Sequence, residues 1–280
     1  MPRYSPVPFV WRTFFFLNDF RLCNYRMLSV MSAGNIIGWL SPASSMFEVS
    51  DFKNLTISSD QIGWAASLLY LGAGIGPVAF AFMINRVGRK WINFFAAFIY
   101  ILGWAICSLA TNDVHIYVAR VIHGVGISFT LCIVPVYVGE IVEDRIRGGV
   151  CAVIVMFMAL GILYVYVIGA YVSFLVLNVS SFVLPVLSLL SFFKMPESPY
   201  FLVMNGRISD AEKNLMRIRG ETNREDVSVE LDKIIEFIDD GYIRESSSNY
   251  YIFSAFCSVH LDLLVPIIFF FDDLFIYLHA

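Results

Sequence analysis

Charge is what this sequence has least of, and over one long stretch it has none. Lys, Arg, Asp and Glu make up 15% of the 280 residues, and Gly149 to Phe193 contains neither these residues nor His. Those 45 residues are about twice the ~20 that a helix needs to cross a bilayer. Because 58% of the chain is hydrophobic, one soluble core cannot bury its apolar surface, and lipid is the expected solvent.

Several chemical signatures are also missing. The sequence has no nucleophile–base pair, no phosphate-binding loop and no cluster of metal ligands, so we expect neither an enzyme nor a cofactor, metal or nucleic-acid partner. The five cysteines show no pairing by spacing and are interpreted as small buried residues. No cleavable signal peptide is evident in the first 26 residues. The sequence lacks the alternation of apolar and polar residues over strand-length segments that a membrane β-barrel needs, which indicates an all-α membrane protein.

The apolar runs predict a bundle of six transmembrane helices. A tight turn near Gly169–Tyr171 is needed to divide the long uncharged block into two spans. The predicted spans are 27–47, 62–84, 91–110, 114–139, 149–170 and 172–193.

The basic residues divide unequally between the two sides of this bundle. Seventeen Lys and Arg residues fall before span one, in the even-numbered loops or after span six, and only Lys53 falls in the others. Because basic loops stay cytoplasmic, both termini are predicted inside a multi-pass protein, with the plasma membrane as its expected location. The Asn54-Leu55-Thr56 sequon then lies outside and is a candidate for glycosylation, whereas Asn178 lies at membrane depth.

Four segments follow from this pattern: a cytoplasmic amino-terminal segment (1–26), the six-span bundle (27–193), a cytoplasmic helical segment (194–248) and a tail (249–280). In the third, Ser209 and Glu212 match a capping box at a helix start. A second apolar stripe, at Leu231, Ile234, Ile235 and Ile238, predicts a further helix. These helices form a small module against the inner face, or else an unstructured linker. The tail is too interrupted by charge to be a seventh span and suggests a truncated or aberrant end.

The stretch NRVGRK places three cations in six residues between spans two and three. Gly88 permits a tight turn, and Arg86 lies where the helix dipole of span two favours a cation. Arg89 and Lys90 begin span three, where the dipole is unfavourable, so carboxylate partners are expected. Candidates at the same side of the membrane are Glu140 and Glu197, with Arg147 as a further cation.

NRVGRK resembles the loop-two signature of the major facilitator superfamily. Three further stretches, ARVIHGVG (119–126), VPVYVGEIVEDRIRGG (134–149) and PESPYFLVMNGRISDAEKNLMRIRG (196–220), resemble signatures of its sugar porter branch. The similarity covers roughly residues 25–240 and is greatest to insect trehalose-transporter-like proteins, of which this chain resembles the amino-terminal half. It implies facilitative transport of a hexose or trehalose by alternating access.

The resemblance also implies a role for the charged residues. In this family, cations and carboxylates at the inner face lock the helices together in the outward-facing state. The residues implied here are Arg89, Lys90, Glu140, Arg147 and Glu197, with Gly88 and Arg86 at the signature turn. The simpler interpretation is that the cations only set topology.

Arg120 and His123 are intramembrane and three residues apart, so they share a helix face. Polar groups at this depth suggest a functional site, although Arg120 could instead extend to the interface.

Two positions depart from the resemblance. Tyr200 replaces an Arg that usually follows the PESP element, and Val155 occupies the position of a sugar-binding Gln. Because the family has twelve spans, a non-transporting half that acts as a sensor, scaffold or inactive isoform is the alternative. The sugar and the oligomeric state are left open.

Overall fold

The computed structural model describes residues 26–48, 57–142, 147–220, 223–225 and 227–239, and these are helical apart from short connections. The helices are α1 (26–38), α2 (Leu40–Glu48), α3 (Ser59–Val87), α4 (Arg89–Ser108), α5 (Asp113–Ile141), α6 (Arg147–Gly169), α7 (Phe174–Ser191), a 3-10 turn (Phe192–Lys194), α8 (Pro199–Met204), α9 (Ile208–Arg219) and α10 (227–239).

Within these described ranges, the five helices α3 to α7 are long and apolar enough to cross a membrane. Each coincides with a predicted span to within a few residues. The uncharged block is divided where α6 ends at Gly169 and α7 begins at Phe174. Ser58 begins α3 with a capping box, in which its hydroxyl accepts from the Gln61 N–H and the Gln61 side chain accepts from the Ser58 N–H. The prediction of an all-helical membrane protein is therefore confirmed.

The first predicted span is helical but interrupted. A turn at Trp39 separates α1 from α2, and within the described residues 26–48 neither helix alone has the length of a span. Helix α1 lies against α6 without intervening side chains, since a Cβ on Gly34 would overlap the Met158 carbonyl and one on Gly161 would overlap the Met31 carbonyl. This segment is thus an integral part of the bundle.

The bundle interior contains two apolar clusters. One cluster surrounds Trp39, Trp104 and Phe174. It contains residues from the later part of α1, from α2, from the starts of α3, α5 and α7, and from the ends of α4 and α6. The other joins the start of α1 to the later parts of α3 and α5 and the starts of α4 and α6, around Met27, Phe80 and Ile133. Successive helices therefore run in alternating directions.

The outer surface of the bundle is apolar too. Helix α3 exposes Trp64, Leu71, Ile75, Val78 and Phe82, which recur along one face at helical spacing. Helices α4, α6 and α7 expose similar stripes, whereas α5 exposes large hydrophobic side chains only near its start, at Val114 and Val118. Large exposed hydrophobic faces of this kind are expected where lipid or another apolar bundle replaces water.

Helices α8, α9 and α10 follow the last span and are amphipathic. Their apolar faces pack together in a small separate core, which contains Leu202, Leu215, Val227, Leu231 and Ile234. The predicted stripe on the last helix is thus the face that packs. The predicted capping box is wrong, however, because α9 begins at Ile208 and no side chain caps it. Glu212 instead pairs with Arg224.

The cysteines agree only partly with their interpretation. Cys107 and Cys132 are buried, but Cys151 is exposed on the outer face of α6, because the interior side of that helix turn is taken by Ile154 and Met158. Cys23 and Cys257 lie outside the described residues.

Candidate functional site: a charge network at one end of the bundle

The junction between α3 and α4 is a single residue. Gly88 has φ of 95°, in the region that residues with a side chain rarely adopt. Helix α3 ends immediately before it and α4 begins immediately after it. A Cβ on Gly88 would lie 2.7 Å from a Glu197 carboxylate oxygen and 2.9 Å from the Phe201 ring. Glycine is therefore required both by the backbone and by the approach of α8.

Arg89 and Glu140 form a forked ion pair between the start of α4 and the end of α5. Arg89 Nη2 donates to Glu140 Oε1 at 2.8 Å, and Arg89 Nε lies 3.0 and 3.1 Å from the two carboxylate oxygens. A third donor, Nη1, reaches the Ile84 carbonyl at 3.1 Å. The side chains are 6% and 14% exposed, so the pair is largely withdrawn from solvent. This bidentate geometry is one that Arg makes and Lys does not.

Glu197 holds the same junction through the backbone. Its Oε1 accepts from the Lys90 N–H and from the Ser198 N–H, each at 3.0 Å. The Lys90 ammonium turns away and lies 4.4 Å above the Phe192 ring. Lys90 and Glu197, two of the predicted network residues, are therefore in contact through the Lys90 peptide N–H at the start of α4 and not through the Lys90 ammonium.

Arg26 lies at the same end of the bundle as this ion pair. We call this end the basic end; it consists of the ends of α3, α5 and α7, the starts of α1, α4 and α6, and helices α8 to α10. Its guanidinium carbon lies 3.4 Å above the Tyr137 ring, and its Nη2 donates to the Arg89 carbonyl at 3.3 Å. The Tyr137 hydroxyl donates to the Pro196 carbonyl at 2.9 Å. The sequence predicts Arg26 only as one of the cations that set topology, although its place directly before span one is a signal that could have identified it.

The remaining predicted site residues are distributed differently. Arg86 is exposed, and in the described part of the chain no carboxylate lies within 4.0 Å of it. Arg147 begins α6, with its side chain outside the described set. Asn54 lies outside the described residues altogether.

Arg120 and His123 lie deep in the bundle rather than at its edge. Arg120 is 1% exposed, so it does not extend to the interface. Its Nη1 donates to the Ile36 carbonyl at 2.9 Å and its Nε to the Ala65 carbonyl at 3.3 Å, which ties α5 to α1 and α3. The His123 ring packs on the Trp104 ring at 4.7 Å. The two side chains therefore contact different helices.

Three further residues singled out in the sequence are Asn178 and the two positions that depart from the resemblance, Tyr200 and Val155. Asn178 is fully buried and accepts from the Trp39 indole N–H at 2.8 Å. Tyr200, which replaces the Arg that the resemblance implies after the PESP element, packs edge-on against Phe237 of α10 at 6.2 Å between ring centroids. Val155 is half-buried on α6.

Comparison with known proteins identifies a family. The profile described as "Sugar (and other) transporter" matches residues 27–268. The facilitated trehalose transporter Tret1 of Apis mellifera ligustica is 32% identical over 211 residues, which cover 74% of this chain and 42% of that protein. Sugar transporter ERD6-like 6 of Arabidopsis thaliana is 30% identical over 208 residues, covering 74% and 41%. The chain thus spans less than half the length of these relatives.

A solved structure shares the fold. The partially occluded inward-open xylose transporter XylE from E. coli superposes with a TM-score of 0.70 at 19% identity, over 80% of this chain and 60% of XylE. The superposition shows the shared fold. The matched profile and the relatives establish that this chain belongs to the sugar porter family of the major facilitator superfamily.

Proposed function

We propose that residues 26–239 act as the amino-terminal half of a facilitative sugar porter that carries a hexose or trehalose by alternating access. The observation that carries this proposal is the buried Arg89–Glu140 pair beside the Gly88 junction, in a chain of this family. A solved relative of the same fold, XylE, is a proton:xylose symporter bound to a glucose analogue. Transport requires no covalent step, and the curated relatives are named as transporters.

The charge network acts as a latch in this proposal. Arg89 joins α4 to α5, while Glu197 joins the start of α4 to the segment before α8. Both contacts meet at the one-residue junction, so a shift of α3 against α4 strains them together. When the basic end opens to release sugar, these contacts separate and their groups gain water. The latch biases one of two states, which needs only a few kcal/mol.

The membrane orientation is part of the proposal. We count the interrupted pair α1 and α2 as the sixth crossing. This is supported by the apolar clusters, since the start of α1 belongs to one cluster and its later part, with α2, belongs to the other. With the basic end cytoplasmic, both chain ends lie inside and α8 to α10 form a cytoplasmic module. The plasma membrane is the proposed location.

A non-transporting role, as a membrane sensor or scaffold, is the second candidate. Helix α6 favours it, because between Gly148 and Gly169 its polar side chains are those of Cys151, Tyr164 and Tyr166. With Val155 at the expected Gln position, α6 has few groups that can bind a hydroxyl-rich sugar, and buried hydroxyls without partners are costly.

Site-directed accessibility distinguishes the latch from a bare topology signal. Residues 1–240 are joined to the carboxyl-terminal half of the Apis mellifera Tret1 relative, and single cysteines are placed at each end of the sugar pathway. Glu140→Gln is expected to raise labelling from the basic end and lower it from the other. Glu236→Gln, an exposed carboxylate on α10, is the matched control. Unchanged labelling in Glu140→Gln would reject the latch.

A further inference from the structure

A cavity of about 590 Å³ lies at the basic end, between the α3–α4 junction and helices α8 and α9. It has the size of small-molecule sites in proteins. Five basic side chains line it, against the two carboxylates of Glu197 and Asp210. The basic residues are Arg86, Lys90, Arg207, Lys213 and Arg217.

Both carboxylates are already engaged within the protein. Glu197 accepts the N–H groups of Lys90 and Ser198, and Asp210 is shared by Arg207 at 2.8 Å and Lys213 at 4.0 Å. Over the described ranges, the ammonium of Lys90 and the guanidinium of Arg86 have no carboxylate within 4.0 Å. The lining therefore has three more basic than acidic side chains, and this excess of positive charge includes Arg86 and Lys90, which lack a carboxylate partner in the described part of the chain.

We infer that this cavity binds a phosphate monoester. Arg and Lys side chains that converge on one volume are the usual receptors for phosphate oxygens, and a doubly charged group offsets more of the excess than a carboxylate does. The ligand would bridge the α3–α4 junction, through Arg86 and Lys90, to α9, through Lys213 and Arg217. It contacts side chains of the latch region without being the transported sugar.

Two sources can present this phosphate: the headgroup of a phosphorylated inositol lipid or a soluble phosphate monoester. The rim of the cavity favours the lipid. Trp91 lines the cavity, is 47% exposed and stands in the first turn of a membrane-length helix. Phe193 is exposed nearby on the same end of the bundle. Exposed aromatic side chains at a span end are typical of the headgroup level of a bilayer.

The experiment titrates the full 280-residue chain in nanodiscs. The lipid arm compares phosphatidylcholine discs that contain a phosphatidylinositol monophosphate with discs that contain phosphatidylserine at equal total charge. The soluble arm uses the free inositol bisphosphate headgroup in phosphatidylcholine discs. Bound lipid is counted by native mass spectrometry, and Kd is measured for both arms.

The variants separate a site from general electrostatics. The double variant Lys213→Gln/Arg217→Gln should weaken binding of the monoester roughly tenfold or more, as expected for loss of charge-assisted hydrogen bonds. Lys213→Arg should retain it. Lys233→Gln removes an exposed cation of α10 outside the cavity and should change Kd less than about twofold. Helix content and elution volume verify that each variant is folded.

The binding measurements either support phosphate binding in this cavity or overturn it. Binding in the lipid arm alone assigns the headgroup as the source, and similar Kd values in both arms assign the phosphate whatever carries it. Equal affinity for phosphatidylserine, undiminished binding by the double variant or no binding in either arm would overturn the inference. None of these results depends on whether the chain transports sugar.

Discussion

The guanidinium groups of Arg26, Arg89 and Arg120 are all buried, and each is compensated in a different way. Arg89 has a carboxylate, Arg26 has the face of Tyr137, and Arg120 has two backbone carbonyls. A buried cation costs several kcal/mol unless paired and hydrogen-bonded. These three residues should therefore respond differently to substitution.

Arg89→Ala is expected to lower the free energy of unfolding by about 3–5 kcal/mol, because it leaves Glu140, which is 14% exposed, largely withdrawn from solvent without its partner. Arg89→Lys should recover only part of this loss, since an ammonium cannot form the fork with both carboxylate oxygens. Arg86→Ala, an exposed cation three residues away, is the control and should change stability by less than about 0.5 kcal/mol. Unfolding in mixed micelles measures all three, and an equal loss in Arg86→Ala would contradict the pairing.

Arg120→Met tests a cation that has no carboxylate within 4.0 Å among the described side chains. Removing the charge relieves a desolvation cost and also removes two hydrogen bonds, so stability is expected to stay within about 1 kcal/mol or to rise. Arg120→Ala adds a cavity and should be about 2–5 kcal/mol less stable than Arg120→Met. If both variants lose stability equally, the bonds to Ile36 and Ala65 outweigh the desolvation.

At the scale of elements, backbones in direct contact determine which helices are neighbours. A Cβ on Gly72 of α3 would overlap the Val121 carbonyl of α5, and one on Gly124 of α5 would overlap the Leu69 carbonyl of α3. Small residues let transmembrane helices approach this closely and gain van der Waals contact along their length. Helices α1 and α6 use Gly34 and Gly161 in the same way.

Gly72→Ala is therefore expected to separate α3 from α5 and to lower the free energy of unfolding by about 1–3 kcal/mol. Gly74→Ala lies two residues away on the same helix, where an added Cβ meets nothing within 4 Å. That control should be neutral or slightly stabilising, because alanine favours the helix by about 1 kcal/mol over glycine. Equal destabilisation by the two variants would argue against the close approach.

Helix positions were accessible from the sequence because the spans depend on local composition. The charge-free block, the one-residue junction at Gly88 and the buried stripe of α10 all follow from residues close together in the chain. The break at Trp39 does not, since it is stabilised by contacts with α5 and α7 that lie far along the sequence. For the same reason, the sequence does not reveal which backbone groups Arg26 and Glu197 bind, because those partners are 63 and 107 residues away.

At the scale of the whole molecule, the distribution of cations predicts the topology. Asn54 is expected to carry a glycan and Asn178 is not, because Asn178 is buried and accepts from Trp39. Glycosidase treatment should shift the mobility of the expressed protein, and Asn54→Gln should abolish that shift. The matched variant Asn178→Gln should leave it unchanged. A shift that survives in Asn54→Gln would contradict the assignment of the glycan to Asn54, and the absence of any shift in the unmodified sequence would count against an outer location of this loop.

The proposal that these residues form one wall of a sugar pathway is tested most directly by uptake. In two-half transporters the substrate lies between the halves, near the membrane midplane. Radiolabelled trehalose and glucose uptake is measured in liposomes that contain either the 280-residue chain or residues 1–240 joined to the carboxyl-terminal half of the Apis mellifera relative. The proposal predicts saturable uptake by the joined protein, reduced by Arg89→Ala, and none by the chain alone. Saturable uptake by the 280 residues alone, or a folded joined protein that binds neither sugar, would contradict it.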